Sequence, residues 1–413
     1  MNPLTERAEK ALSQHDLCDH CLGRLFARVS TGLTNDVRGI SVRMALNVEL
    51  ALEDKDPYLH RSSCYVCEDI FDTVPRFAQA AAEALSKVEF NNFLVGTRVD
   101  PLISEREEQM WSIVGQEMTE PIKAELNQEI GKALEKLIAK PVEFKAPDVV
   151  ALVDTRFAHV EIDVAPLFVY GRYLKYSREI PQTYWPCRTC KGKGCQKCNG
   201  TGKQYQTSVQ EIIAGPIMRA AEGEEHFMHG MGREDIDARM LGTGRPFVIE
   251  IRDPKKRLID LKALEEEVNA SGKDRVGVIG LRFSTREEVR EIKLASPDKA
   301  YRVVVAHHGK VNKERVIEVF HTIDRTCISQ QTPSRVQHRR ADLDRQKTII
   351  MAELESFDQE TMTIFLRTQS GTYVKEFVHG DNGRTKPSLS ELFATPLEVL
   401  ALDVVEINDN TEV

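Results

Sequence analysis

The sequence predicts an α+β protein of several domains: a cysteine-bearing N-terminal region, an α/β module, and a larger half built on a mixed or antiparallel sheet with flanking helices. Three observations lead there. The chain has 413 residues, too many for one ordinary domain and enough for two or three sizeable cores. Eight of its nine cysteines fall into four Cys-x-x-Cys pairs, spaced so that they mark off regions of the chain. Apolar residues recur at helical spacing through much of the first half, whereas short alternating runs dominate the second. The boundaries read as 1–70, 71–178, 179–205 and 206–413.

Composition narrows the function class. Hydrophobic residues make up 41% and charged residues 29%, the balance of a soluble globular chain. A formal net charge of -8 excludes a protein that grips nucleic acid over its whole surface, so any RNA contact must come from local basic patches. No apolar stretch is long enough to span a bilayer, and Met1-Asn2-Pro3-Leu4-Thr5-Glu6-Arg7 is not a signal peptide, so a cytoplasmic protein without membrane contact is expected. In that reducing compartment paired cysteines read as metal ligands rather than disulfides.

In the first region, Cys18, Cys21, Cys64 and Cys67 offer two tight turns with two thiols each, flanking a helix expected over 40–52. Four protein ligands leave no open position for water, which points to structural zinc; a lone redox Cys-x-x-Cys is the competing reading. The second region opens with an amphipathic helix over 77–88. Ser104 and Glu107 then suggest a capping box, and Ile122, Leu126, Ile130, Leu134 and Leu137 recur at helical spacing. Strands follow at 149–153, 159–164 and 167–170. The third region carries Cys187, Cys190, Cys195 and Cys198 among glycines, a candidate second zinc knuckle or a flexible thiol-bearing loop. Arg188, Lys191, Lys193, Lys197 and Lys203 make it basic enough to meet phosphates. The ninth cysteine, Cys327, reads as a buried, inert thiol.

In the last region a short piece at 208–214 is expected to stop at Gly215-Pro216 before a second helix at 217–221. Strands are expected at 247–251, 276–279, 301–305, 348–354, 361–367 and 400–405, with helices at 258–268 and 388–393. Within 361–367, Met362, Ile364 and Leu366 alternate with Thr363, Phe365 and Arg367, as a sheet with one buried face requires.

The densest chemistry lies in Gly232-Arg233-Glu234-Asp235-Ile236-Asp237-Ala238-Arg239-Met240-Leu241-Gly242 and the Gly244-Arg245-Pro246-Phe247 that follows. Three carboxylates and three arginines sit there between turn-forming glycines. Adjacent acids cannot share one site without large pKa penalties, so Asp237 is expected to pair with Arg239 or Arg245; a plain salt-bridged turn is the simpler alternative. Two further stretches stand out. Tyr301 opens a strand after Lys299-Ala300, and Ser370-Gly371-Thr372-Tyr373-Val374-Lys375-Glu376-Phe377 combines a turn, a phenol and a cation. Taken alone, Tyr301, Thr372 and Tyr373 are ordinary strand residues and Lys375 a solvated one. Arg335, His338, Arg339, Arg340, Arg345 and Lys347 form a basic run, suited to RNA or simply solvated, and the polar run 379–388 offers further RNA contacts.

Arg-x-Asp is the short signature around the nucleophilic aspartate of several pseudouridine synthase families, and Arg233-Glu234-Asp235 has that spacing. The Gly371-Thr372-Tyr373-Val374-Lys375 run is similar to their Gly-Thr-Tyr-Ile-Arg motif, with lysine where arginine often stands. With the N-terminal cysteines and the α/β module, which resembles a THUMP domain, the whole chain resembles the archaeal and eukaryotic tRNA pseudouridine synthases called Pus ten. The resemblance implies isomerisation of uridine-54 and uridine-55 in the T arm of tRNA, with a THUMP-like module that holds the tRNA and no organic cofactor. It implies Asp235 as nucleophile, Tyr301 stacking on the uracil and assisting proton removal, and Lys375 pairing with the aspartate. Arg233, Arg245, Tyr373 and Val374 would bind the substrate. A monomer is expected. A THUMP-bearing methyltransferase or thiolase would need a glycine-rich cofactor loop or a Ser-Gly-Gly nucleotide loop, and neither occurs. A zinc-dependent tRNA-binding adaptor without catalysis would leave Asp235 and Lys375 far apart or facing bulk water.

Overall fold

A computed structural model describes residues 2–29, 31–308, 310–339 and 341–409, the side chain of Arg339 excepted. The chain divides into two compact units. One comprises the chain up to Ala165 together with Lys255–Arg257, and the other comprises Pro166–Pro254 and the chain from Leu258 onward.

In the first unit the apolar periodicity between Ile122 and Leu134 becomes the helix Ile122–Ile138, on which Ile122, Leu126, Ile130 and Leu134 are at most 1% exposed. Leu137 lies off that stripe, in solvent. The helix Val74–Leu85 buries Phe77, Ala78, Ala81 and Leu85, and both helices cover a sheet of β1 (Phe93–Arg98), β2 (Val149–Asp154) and β3 (His159–Val164). β1 and β2 run parallel, β2 and β3 antiparallel. The capping box expected at Ser104 is absent. The helix starts earlier, at Pro101, with the Asp100 side chain accepting from the Leu102 N–H. Glu107 is instead buried, accepting from the Ile122 N–H at 2.7 Å and from Arg24 Nε at 3.1 Å. Helix Asn35–Ala51 lies so close to helix Asp19–Arg24 that a Cβ on Gly39 would stand 1.9 Å from the Asp19 carbonyl oxygen.

The second unit is organised by one sheet of ten strands among the described residues. These are β4 (Leu167–Lys175), β5 (Glu225–Gly230), β6 (Arg239–Arg252), β7 (Val276–Ser284), β8 (Asp298–Ala306), β9 (Thr326–Gln331), β10 (Asp344–Phe357), β11 (Thr361–Thr368), β12 (Thr385–Lys386) and β13 (Glu398–Asn408). The order is β12-β9-β10-β11-β8-β13-β6-β4-β7, with β5 also on β6. The strand expected at 167–170 therefore belongs here and not to the preceding α/β module, and the units divide after Ala165 rather than at 178. β4 pairs with β6 along one edge and with β7 along the other, and it is buried along nearly its whole length, Arg172 and Lys175 included. On β11, Met362, Ile364 and Leu366 face the core as their alternation requires.

Two local readings are corrected. A single helix, Val209–Ala221, runs through Gly215-Pro216. Pro216 forfeits a backbone hydrogen bond, a local cost of about 3 kcal/mol, but it lies buried with Val209, Ile213, Ala214 and Ile217, whose packing outweighs the loss. Cys327 is exposed, not buried, because it falls on the outer face of β9, where its thiol donates to Gln346 Oε1 at 3.3 Å. Helices Arg286–Leu294 and Lys313–Ile323 were not anticipated. The first buries only Val289 and Ile292, too thin a stripe to read, while the second buries Val316, Val319, Phe320 and Ile323 at regular helical spacing. Among the described residues no helix is long and apolar enough to cross a membrane.

Candidate active site

Arg233, Asp235, Arg245, Tyr301, Tyr373, Val374 and Lys375 come from four separate stretches of sequence, yet all border one cavity of about 610 Å³ in the second unit. The sheet brings them together. Asp235 sits in the loop between β5 and β6, and β6 pairs with β13, which pairs with β8 and so reaches Tyr301. β11 pairs with β8 on its other side, Leu366 opposite Tyr301, and then turns at Gly371 into the helix Val374–His379 that carries Lys375 near its N-terminus. The Gly-Thr-Tyr run is thus a strand-to-helix turn. Buried Gln330 fixes it from β9, accepting from the Tyr373 N–H at 2.9 Å and donating to the Tyr373 carbonyl at 3.0 Å.

The acids of the loop have different partners. Glu234 turns inward, accepting from Tyr173 Oη at 2.8 Å and Arg245 Nε at 2.9 Å. Arg245 is thereby spoken for, 1% exposed, and the expected Asp237–Arg245 or Asp237–Arg239 pair is replaced by Asp237 with Lys375 Nζ at 2.7 Å. The reason is geometric: residues alternate direction along the turn, and only Glu234 reaches the interior. Burial works upward on the Asp237 carboxyl, but the hydrogen bond and charge of Lys375 outweigh it and hold the group below its usual range. Asp235 faces the cavity, with Arg335 Nη1 at 3.1 Å and Lys375 Nζ at 3.5 Å. Lys175, fully buried on β4, donates to the carbonyls of Asp235 at 3.1 Å and Ile236 at 2.8 Å, so the backbone of this acid is fixed from below.

Arg335, read in the sequence as part of an RNA-binding or solvated basic run, is the nearer cation on Asp235. It also donates to buried Glu376 at 2.6 Å, which with Asp235 holds its guanidinium charged. Its element is pinned by Asp381, whose carboxylate accepts from the Ser334 N–H at 2.8 Å and Oγ at 2.6 Å, so the polar run 379–388 turns its single acid inward. Arg345 and Lys347 also line the cavity; Arg340 and the side chain of Arg339 lie outside the described residues. Lys299 was missed although its signal was present, since Lys299 and Tyr301 are two apart on one strand and face one side. Burial, then the charges of Arg245 and Lys347, lowers the Lys299 ammonium to about 8. Burial pushes the Tyr301 phenol up to about 12 despite the opposing charge of Arg245.

Both cysteine clusters are assembled. In each of the sets Cys18/Cys21/Cys64/Cys67 and Cys187/Cys190/Cys195/Cys198 the sulfur atoms lie within 4.8 Å of one another. A tetrahedral zinc with thiolates about 2.3 Å away sets sulfurs roughly 3.8 Å apart. Cys18–Cys67 at 3.6 Å, Cys190–Cys198 at 3.8 Å and Cys187–Cys195 at 4.0 Å match that span, so both donor sets fit a tetrahedral metal ion.

The family model described as "Pus10, C-terminal" matches residues 168–408, and "Pus10 THUMP domain, archaeal" matches residues 77–154. The chain belongs to the Pus10 family. Curated relatives named tRNA pseudouridine synthase Pus10 agree over nearly the full length. That of Halorubrum lacusprofundi is 40% identical over 98% of this chain and 97% of its own. That of Methanopyrus kandleri is 40% identical over 98% and 99%, and that of Methanothrix thermoacetophila 38% identical over 98% and 94%. The chain is accordingly an enzyme of the pseudouridine synthase class, an isomerase. The Pus10 C-terminal match spans every residue that borders the cavity, and the Pus10 THUMP match spans β1, β2, the helices Pro101–Val114 and Ile122–Ile138 and most of Val74–Leu85.

Proposed function

We propose that this Pus10-family enzyme converts uridine-54 and uridine-55 of the tRNA T arm to pseudouridine, with Asp235 as nucleophile. The observation that carries the reading is a carboxylate, held between Arg335 and Lys375, at the edge of a cavity that Tyr301 also lines. Target uridines in a folded RNA must be extruded to reach such a cavity, and the Tyr301 and Tyr373 rings offer faces for the loose base. Asp235 bonds to the sugar carbon as N1 departs, the uracil turns within the cavity, and C5 replaces the carboxylate at the same carbon. The proton lost from C5 is matched by the one gained at N1, so the reaction needs neither redox partner nor added group. Tyr301 stays a neutral phenol below about pH 12, which suits stacking and proton relay. Arg335 and Lys375 aim the carboxylate, and Val374 packs beside the base while Arg233 meets the backbone of the RNA.

In this reading the THUMP region anchors the tRNA, both cysteine clusters hold zinc as a structural ion, and the enzyme acts in the cytoplasm as a monomer. Zinc there would supply rigidity and no chemistry, because four thiolates leave no position for water or substrate. The test is incubation of unmodified tRNA transcript with wild type and with Asp235→Asn, followed by carbodiimide-blocked primer extension. Wild type should yield stops at both uridines. Asp235→Asn should lose about 10⁴-fold or more in rate with nearly unchanged tRNA affinity; retained turnover rejects Asp235.

A further inference from the structure

A second, shallower cavity of about 300 Å³ opens beside the first and shares Arg233, Asp235, Arg335 and Lys375 with it. Its outer wall is aromatic. Trp185 and Tyr205 meet edge to face, ring centroids 5.8 Å apart, and the Arg233 guanidinium stands 5.7 Å from the Trp185 ring. Both aromatics are only half-buried, although core packing would bury rings of this size.

The placement of these rings follows from the second cysteine cluster. Trp185 and Tyr205 flank the root of the loop that carries it. There the Cys187 N–H donates to the Gly202 carbonyl at 2.7 Å and the Gln204 N–H to the Trp185 carbonyl at 3.0 Å. The four cysteines close the loop beyond the root, so the two rings are held at a fixed spacing beside Asp235. The loop's own Arg188, Lys191, Lys193 and Lys197 are exposed. Aromatic faces, an adjoining guanidinium and a basic approach are the groups that hold an unstacked nucleotide.

We propose that Trp185 and Tyr205 form a second base-binding subsite, which stacks a nucleotide adjacent to the extruded uridine while Arg233 meets that nucleotide's phosphate. The subsite rests on the RNA-substrate reading above and adds a specificity element to it. Holding the neighbour would keep the target unstacked and set which uridine enters the catalytic cavity.

The chain has two tryptophans, so Trp111→Phe leaves Trp185 as the sole indole reporter in an otherwise intact enzyme. Emission from this variant should fall on titration with tRNA transcript. Trp185→Ala should raise KM about tenfold, the loss expected for one base–aromatic stack, with kcat within about twofold, and Trp185→Phe should restore most of the affinity. Emission that stays constant while tRNA binds, together with a Trp185→Ala KM within about twofold of wild type, would overturn the subsite. Repeating the titration with Asp235→Asn also present separates the two readings. If the wild-type chain makes no pseudouridine but Trp185 is still quenched, the catalytic assignment fails and the subsite stands.

Discussion

Asp235 takes its character from groups that reach it from different parts of the chain: Arg335 and Lys375 at its carboxylate, Lys175 at its backbone carbonyl. Lys175 is the most informative of these because it touches no solvent. Burial lowers its ammonium to about 8 against the pull of Glu234 and Asp237. A base whose folded pKa is depressed costs stability while charged, so the penalty is full below about pH 8 and is relieved as pH rises toward the unfolded value. Lys175→Met removes that penalty but leaves three carbonyls without their donor and Glu234 with one cation fewer, so the melting temperature should fall. The same substitution should lower kcat by about tenfold to a hundredfold, because the carbonyls of Asp235 and Ile236 lose their donor. Thermal melts beside steady-state kinetics would check both halves.

Lys299 allows a separate test through pH. Charged below about 8 and neutral above it, it gives the cavity one positive charge that disappears as pH rises. KM for tRNA should climb between about pH 7 and 9 in the wild type. In Lys299→Met it should start higher and change less over the same range, and identical profiles would remove Lys299 from substrate binding.

At the scale of elements, the strand-to-helix turn at Gly371 and Gly242 within β6 show backbone geometry deciding position. Gly242 has a φ of +58°, and a Cβ there would lie 1.8 Å from the Val405 carbonyl oxygen. Gly242→Ala must push β6 away from β13, the contact that carries the Asp235 loop toward Tyr301. It should cost about 1–3 kcal/mol of stability and reduce kcat as well, measured by denaturant unfolding and single-turnover kinetics; unaltered values for both would show that the two strands can shift freely. The cysteine loops are elements of another kind, in which side chains and not a ladder close the turn. Cys195→Ser should lower bound zinc by about one ion per chain, read by metal analysis, while the first cluster keeps its own.

For the whole molecule, a net charge of -8 means that RNA is drawn to a few places and not to the surface at large. Lys299, Arg335, Arg345, Lys347 and Lys375 concentrate positive charge around one cavity. Lys191, Lys193 and Lys197 do the same on the second cysteine loop. Affinity for tRNA should fall with salt on a shallow slope, and Lys193→Gln should reduce that slope by about one in a log–log plot. A slope that Lys193→Gln leaves unchanged would show that the loop does not meet phosphate.

The sequence by itself determined much of the element pattern and which residues were candidates. Alternation on β11, the stripe on Ile122–Ile138, the paired cysteines and the acidic loop were all legible, because each is written in neighbouring residues whose spacing sets their direction. Tertiary structure decided the partners. That Arg245 serves Glu234, that Lys375 binds Asp237 most closely, and that Arg335 stands on Asp235 depend on strand order across the sheet and on side-chain direction at one turn. The helix through Pro216 and the exposed Cys327 have the same origin, since burial is settled by what lies opposite in space. A pattern can say that a residue faces inward or outward, but the charge it meets there arrives from a distant part of the chain.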